Sequence, residues 1–273
     1  MEITTRREFL KNAGAAVLGM ATGVGVTSLI SCAPSPTPAV LAPVSPTPAT
    51  AQFPWTYAKL DVVAVAEKAY ADYSKGACMY GTFSAIIGTL AEQVGTPFST
   101  FPIDMMKYGK GGVYELGTLC GALNGAAAAI SLVADTKVAE QLIDELFAWY
   151  NTEALPNYKP KTPKYDIVAS VSNSPLCHAS VTEWSNKSGF NGYSPQRAER
   201  CGWLAASVAK RTAELLNSQA DRTFKRVLTT PADVTTCLAC HGQNGAVQNV
   251  HVAEASSCTL CHTDLSKHPV PIK

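Results

Sequence analysis

Charge is scarce in this chain. Only 16% of its 273 residues are Asp, Glu, Lys or Arg, against 47% hydrophobic, and no Lys/Arg run follows the first dozen residues. With a formal charge of +1, the electrostatic case for nucleic-acid binding is absent. So few charges on so apolar a chain also exclude disorder throughout. Strand-like alternation is rare, and no aromatic residue occurs from Pro231 to Lys273, so that segment cannot enclose a large apolar group alone. Gly109-Lys110-Gly111-Gly112 lacks the Gly-Lys-Ser/Thr ending of a phosphate loop. Cysteine, at nine, is too sparse for a disulfide-dense scaffold and too frequent for chance burial, so most copies need a chemical reason.

The N-terminus reads as an address. Thr5-Arg6-Arg7-Glu8-Phe9-Leu10-Lys11 is a twin-arginine signature, followed by uncharged apolar sequence from Ala13 to Ile30. Its four glycines favour a removable signal over a permanent span. Leu29-Ile30-Ser31-Cys32 resembles a lipobox, which makes Cys32 a lipid-bearing first residue of the mature chain. Between Ala33 and Pro54 seven prolines dictate an extended tether without a core. Cutting before Cys32 removes Arg6, Arg7 and Lys11 against Glu2 and Glu8, so the formal charge falls from +1 to 0.

From Tyr57 to about Ser218 the apolar spacing is helical. It predicts five main helices, at about Lys59–Tyr73, Cys78–Gln93, Glu115–Ala134, Thr136–Tyr150 and Pro195–Asn217, with Thr136 as an N-cap. Thr96–Gly112 and Asn151–Ser194, rich in Pro, Gly, Ser and Asn, read as loops. Gly117, Gly121 and Gly125 follow at four-residue spacing, leaving one face of the third helix almost without side chains for a neighbouring helix, a cofactor or a subunit to approach.

Chemistry concentrates at the C-terminus. Cys237-Leu238-Ala239-Cys240-His241 and Cys258-Thr259-Leu260-Cys261-His262 are both CxxCH motifs. In c-type haem attachment, two cysteines three apart form thioethers to the vinyl groups and the adjacent histidine ligates iron. Cys237, Cys240, Cys258 and Cys261 are the attachment residues on this reading, and His241 and His262 the proximal ligands. A zinc site is the rival, since seventeen residues separate Cys240 from Cys258, a suitable spacing for four thiolates. Zinc does not require a histidine after each pair, and bacterial haem attachment takes place outside the cytoplasm, so haem is the expectation. His251 and His268 are the economical sixth ligands, with Met105 and Met106 as alternatives. Two haems held by so little apolar sequence must pack against each other, the helical body or a second subunit.

Cys78, Cys120, Cys177 and Cys201 remain. Four thiolates suit an iron-sulfur cluster; two disulfides or inert burial are the alternatives. Export by the twin-arginine route favours the cluster, because that route carries proteins already folded around cofactors inserted in the cytoplasm.

Cys120-Gly121-Ala122-Leu123-Asn124-Gly125 resembles the CGAxxG motif of four-cysteine redox proteins. Together with Leu146-Phe147-Ala148-Trp149-Tyr150, Ser174-Pro175-Leu176-Cys177-His178, Glu199-Arg200-Cys201 and the two CxxCH motifs, the chain from about Tyr57 onwards resembles the split-Soret cytochrome c family. The resemblance implies an exported dihaem electron carrier of anaerobic respiration. It also implies closely stacked haems, an iron-sulfur site at the other cysteines, a homodimer and an axial ligand donated across it. The expected architecture is mainly α: signal peptide 1–31, lipidated tether 32–54, a helical four-cysteine body 55–230 and a loop-rich dihaem module 231–273. Redox proteins are the expected partners, and Cys32 the route to a membrane. Two rivals belong to other classes. One is a haem-dependent reductase with an open iron site, using His178 or Lys110 for protons; the other is a zinc-stabilised binding lipoprotein.

Overall fold

The computed structural model describes residues 52–227, 232–247, 257–260 and 262. Helices dominate them, as expected: α1 (Val62–Val94), α2 (Gly121–Val133), α3 (Thr136–Thr152), α4 (Cys177–Ser188), α5 (Pro195–Ala220) and α6 (Ala232–His241). Strands β1 (Ala154–Leu155) and β2 (Ser170–Val171) form one short antiparallel pair. Among the described residues no helix is long and apolar enough to cross a membrane.

Helix α1 is two arms around a break. Asp61 caps the first arm by accepting from the backbone N–H groups of Val63 and Ala64, both at 2.9 Å. Gly76 and Ala77 then leave helical geometry, Ala77 at φ 64°. The second arm folds back on the first: a side chain at Gly81 would lie 2.8 Å from the Ala69 carbonyl, and the Ser84 hydroxyl donates to Asp72 at 2.9 Å. The first two predicted helices are therefore present, and their junction falls where the sequence placed it. The second arm continues to Val94 and stops at Gly95, whose φ is 81°.

The third predicted helix starts later than expected. Gly111 to Gly112 and Val113 to Glu115 all have positive φ, as does Gly117, so this stretch coils as turns. Its amides are used there: Tyr114 N–H donates to the Tyr108 carbonyl and Glu115 N–H to that of Lys110, each at 2.9 Å. Helix α2 begins at Gly121, and Gly117 lies outside it. The small-residue face nevertheless does what a neighbouring helix demands. A Cβ at Gly125 would meet the Met79 carbonyl oxygen at 2.6 Å, and one at Gly121 the Met79 nitrogen at 3.0 Å, so α2 rests directly on the backbone of α1.

Asp135, not Thr136, caps α3; its carboxylate accepts from Val138 N–H at 3.2 Å. The one-residue correction reflects the free choice between two adjacent capping types. Within the predicted loop Asn151–Ser194 the chain forms the strand pair and α4. Only Ser180 and Trp184 are buried along α4, which leaves little apolar periodicity to read. The other predicted loop winds into two 3₁₀ segments, Phe98–Thr100 and Ile103–Gly109. Phe98 is fully buried and meets Trp55 edge-on at 5.1 Å.

Helix α5 is the axis of the body. Ser194 caps it, Pro195 occupies its first turn, and its buried face runs from Trp203 and Leu204 to Leu215 and Leu216. It lies along α1, where a Cβ at Gly202 would stand 3.3 Å from the Tyr70 ring. Glu199 ties the passing loop to this pair, since its carboxylate accepts from Tyr70 (2.7 Å), Trp203 Nε1 (2.8 Å) and Lys164 N–H (2.9 Å). The core between α1, α2, α3 and α5 is Phe83, Ile86, Ile87, Leu90, Leu123, Ile130, Leu142, Leu146 and Val208.

Candidate redox centre

Three of the four body cysteines stand at helix starts. Cys78 follows the break in α1, Cys120 is the N-cap of α2, and Cys177 is the first residue of α4. Helix N-termini present unpaired N–H groups and the positive end of the dipole, both favourable to sulfur anions. Cys201 projects from within α5.

The backbone draws these positions together. Cys120 N–H donates to the Pro175 carbonyl at 2.8 Å, and Cys177 N–H returns a bond to Thr118 at 2.7 Å. His178 N–H reaches Gly117 at 3.0 Å, and Leu119 bridges Leu176. Gly117 is needed at this crossing: its φ is 73° and a Cβ would lie 3.0 Å from that of His178.

The thiols also influence one another electrostatically. Burial, then Cys120 and Cys201, push the Cys78 thiol up to about 12. Burial raises Cys177 as well, with further contributions from Cys120, Cys78 and Cys201. Cys120 is raised by burial and partly relieved by Tyr150, the amides of Leu123 and Ala122, and Arg200. Cys78, Cys120 and Cys201 are buried, Cys177 is half-buried, and all four are free thiols. As they stand, no three His, Cys, Asp or Glu side chains among the described residues are gathered closely enough to hold one ion. The four thiols form a loose cage, near enough to perturb one another but with no three meeting at a single point among the described residues.

Four further residues belong to this cage. Tyr150 hydrogen-bonds Cys120, and Tyr73 senses Cys201, Cys78 and Cys177. Burial opposes the Arg197 and Arg200 charges, yet Cys201 and neighbouring groups raise both pKa values. Cysteine spacing does not find these partners. Helical position would have: Arg197 precedes Cys201 by four residues, on the same face of α5.

At the C-terminus, α6 carries Cys237, Cys240 and His241. Cys240 is exposed, Cys237 and Cys258 half-buried, and His262 exposed. Cys258 opens a 3₁₀ turn from which His262 N–H donates back to the Cys258 carbonyl at 3.0 Å. Burial, followed by Cys237, raises Cys258, which places one cysteine of each motif side by side. Asp233 joins the segments by accepting from the Ser257 hydroxyl (2.7 Å), Thr259 N–H (3.0 Å) and the Thr259 hydroxyl (3.1 Å). Cys261, His251, His268 and Cys32 lie outside the described residues. His178 is exposed, Lys110 is paired with Glu115 at 2.8 Å, and Met106 is buried in the core. A cavity of about 330 Å³ is lined by Phe53, Ser131, Asp135 and Ile143 among others and includes neither His178 nor Lys110.

Residues 80–215 match a family model described as "Putative redox-active protein (C_GCAxxG_C_C)". The pattern places glycine before cysteine, whereas this chain reads Cys120-Gly121. Sterics account for the order, because a Cβ at 121 would crowd the Gly109 carbonyl and come within 2.9 Å of Cys78 Sγ. Split-Soret cytochrome c of Desulfovibrio desulfuricans is 38% identical over 219 residues, covering 77% of this chain and 78% of the relative. A solved structure of the split-Soret cytochrome c from that organism, described as containing a novel iron centre, superposes with a TM-score of 0.71. It is 37% identical and covers 76% of this chain and 90% of its own.

Proposed function

We propose that this chain, which belongs to the split-Soret cytochrome c family, is an exported electron carrier with two haem c groups and an iron-sulfur cluster. Redox function follows from the family; the cofactor count and assignment are read from the residues. The observation that carries the reading is the cage of four free thiols supplied by four separate elements, together with two CxxCH motifs in the same chain.

When bound, haem c and an iron-sulfur cluster supply reversible one-electron chemistry. The chain's own contribution is to hold and insulate them. Cys237, Cys240, Cys258 and Cys261 attach the haems, with His241 and His262 as proximal ligands and His251 and His268 as sixth ligands. Asp233 fixes the segment of the second motif to the helix of the first. Cys78, Cys120, Cys177 and Cys201 take the cluster. The donor set fits: burial makes isolated thiolates costly, and iron compensates that charge.

The twin-arginine signal and lipobox support export and anchoring through Cys32 to the outer face of the cytoplasmic membrane, or release into the periplasm. The family resemblance supports a homodimer. A pyridine haemochrome assay combined with iron and labile-sulfide analysis tests the cofactors. Two haems per chain with additional iron and sulfide are expected; no haem would return the reading to zinc, and no sulfide after anaerobic purification would reject the cluster. Carbon monoxide is expected not to bind the reduced haems rapidly, since rapid binding requires an open iron site.

A further inference from the structure

Arg200 is one of the largest fully buried side chains of the body, with 1% of its surface exposed. Among the described residues no carboxylate pairs with it: the adjacent Glu199 is spent on Tyr70, Trp203 and Lys164. Its Nη2 donates to Ser180 Oγ at 2.8 Å. Ser180 and Tyr150 join hydroxyls at 2.9 Å, and Tyr150 reaches Cys120. Arg200 also interacts with its chain neighbour Cys201, whose sulfur favours the guanidinium charge. Its Nε is buried without a partner. A guanidinium so enclosed is costly unless an anion compensates it, and neutral thiols do not. The side chain is therefore built against a negatively charged sulfur centre.

We propose that Arg200 is a positioning residue that sets the redox potential of the four-cysteine centre, holding Cys201 directly and Cys120 through Ser180 and Tyr150. The inference rests on the cluster reading given above. One-electron reduction by an external mediator adds an electron to the centre and breaks no bond, so the centre becomes one unit more negative. A fixed buried cation favours that state. Arg197, which is half-buried, lies on the same helix and adds a weaker, solvent-screened contribution.

The test is a mediated redox titration of the intact haem-loaded protein, following the non-haem iron signal by electron paramagnetic resonance. Arg200→Gln is expected to shift the reduced-to-oxidised ratio at least tenfold toward the oxidised form, equivalent to 59 mV for one electron. Arg200→Lys, which keeps the charge without the planar fork, is expected to shift it less. Ser180→Ala, which releases the side chain but leaves the charge, should shift it two- to tenfold in the same direction. A folded, iron-replete Arg200→Gln protein with an unshifted potential overturns the proposal. If that variant does not fold, unshifted potentials in both Arg200→Lys and Ser180→Ala overturn it instead. A wild-type protein without non-haem iron and sulfide overturns the cluster reading and this proposal together, before any variant is compared.

Discussion

At Asp233 a single carboxylate receives three hydrogen bonds from the segment of the second CxxCH motif. Those bonds, Ser257 first and then Thr259, lower its pKa from 3.8 to about 2. A depressed carboxylate pKa stabilises the folded arrangement above the unfolded value and loses that contribution as pH falls through the folded one. The two motif segments should therefore stay joined down to about pH 3 and separate toward pH 2. Hydrogen-exchange protection of the Thr259 amide, corrected for its intrinsic rate between pH 1.5 and 5, reads this directly. Asp233→Asn should weaken the protection at pH 5 and flatten its dependence on pH; a wild-type profile in the variant would contradict the assignment. This residue was invisible to motif reading, because its partners lie in a different motif. The cysteines were legible for the opposite reason: thiol chemistry restricts their number and spacing, so Cys78, Cys120, Cys177 and Cys201 stood out before any fold was known. Arg200 adjoins Cys201 in sequence, but only burial without a carboxylate distinguishes it from an ordinary surface arginine.

The seat of α2 on α1 turns on two glycines. Gly125→Ala would press a methyl group to 2.6 Å from the Met79 carbonyl oxygen and 3.3 Å from the Phe83 nitrogen. Both are backbone atoms of α1, which cannot move as a side-chain tip can. Overpacking of this kind costs about 1–3 kcal/mol, and chemical denaturation should show a lower midpoint at unchanged slope. Because Cys120 caps the same helix and Cys78 lies one residue before Met79, the substitution should also lower non-haem iron content. Equal stability and iron in both proteins would mean that the contact is not tight. Helices with a continuous apolar stripe, such as α3 and α5, were readable to within a few residues. Where hydrogen bonding to the local backbone decides, reading failed: between the glycines of the turns from Gly111 to Gly117, Val113 to Leu116 have ordinary helix propensity. In α4, the start is fixed by bonds from Cys177 to Thr118 and His178 to Gly117, long-range contacts that no local pattern encodes.

Net charge is nearly absent from the whole molecule. Without residues 1–31 the Lys and Arg balance the Asp and Glu, so under the proposed function the propionates of two bound haems would be the largest uncompensated charges near the C-terminal motifs. Described residues there offer little to neutralise them: α6 contains no Lys or Arg and carries Asp233 in its first turn. Under the proposed function the haem end would be acidic, and a redox partner docking on it should present a basic face. Attraction of that kind raises the association rate and is screened over a Debye length of about 8 Å at physiological ionic strength. Stopped-flow electron transfer to a basic cytochrome should accordingly slow by roughly tenfold or more as salt rises from about 10 mM to 1 M, where screening shortens the Debye length from about 30 to 3 Å. An acidic acceptor should show the opposite trend. Acceleration of the basic partner at high salt would move docking away from the haem end, to a surface where apolar contact rather than charge selects the partner.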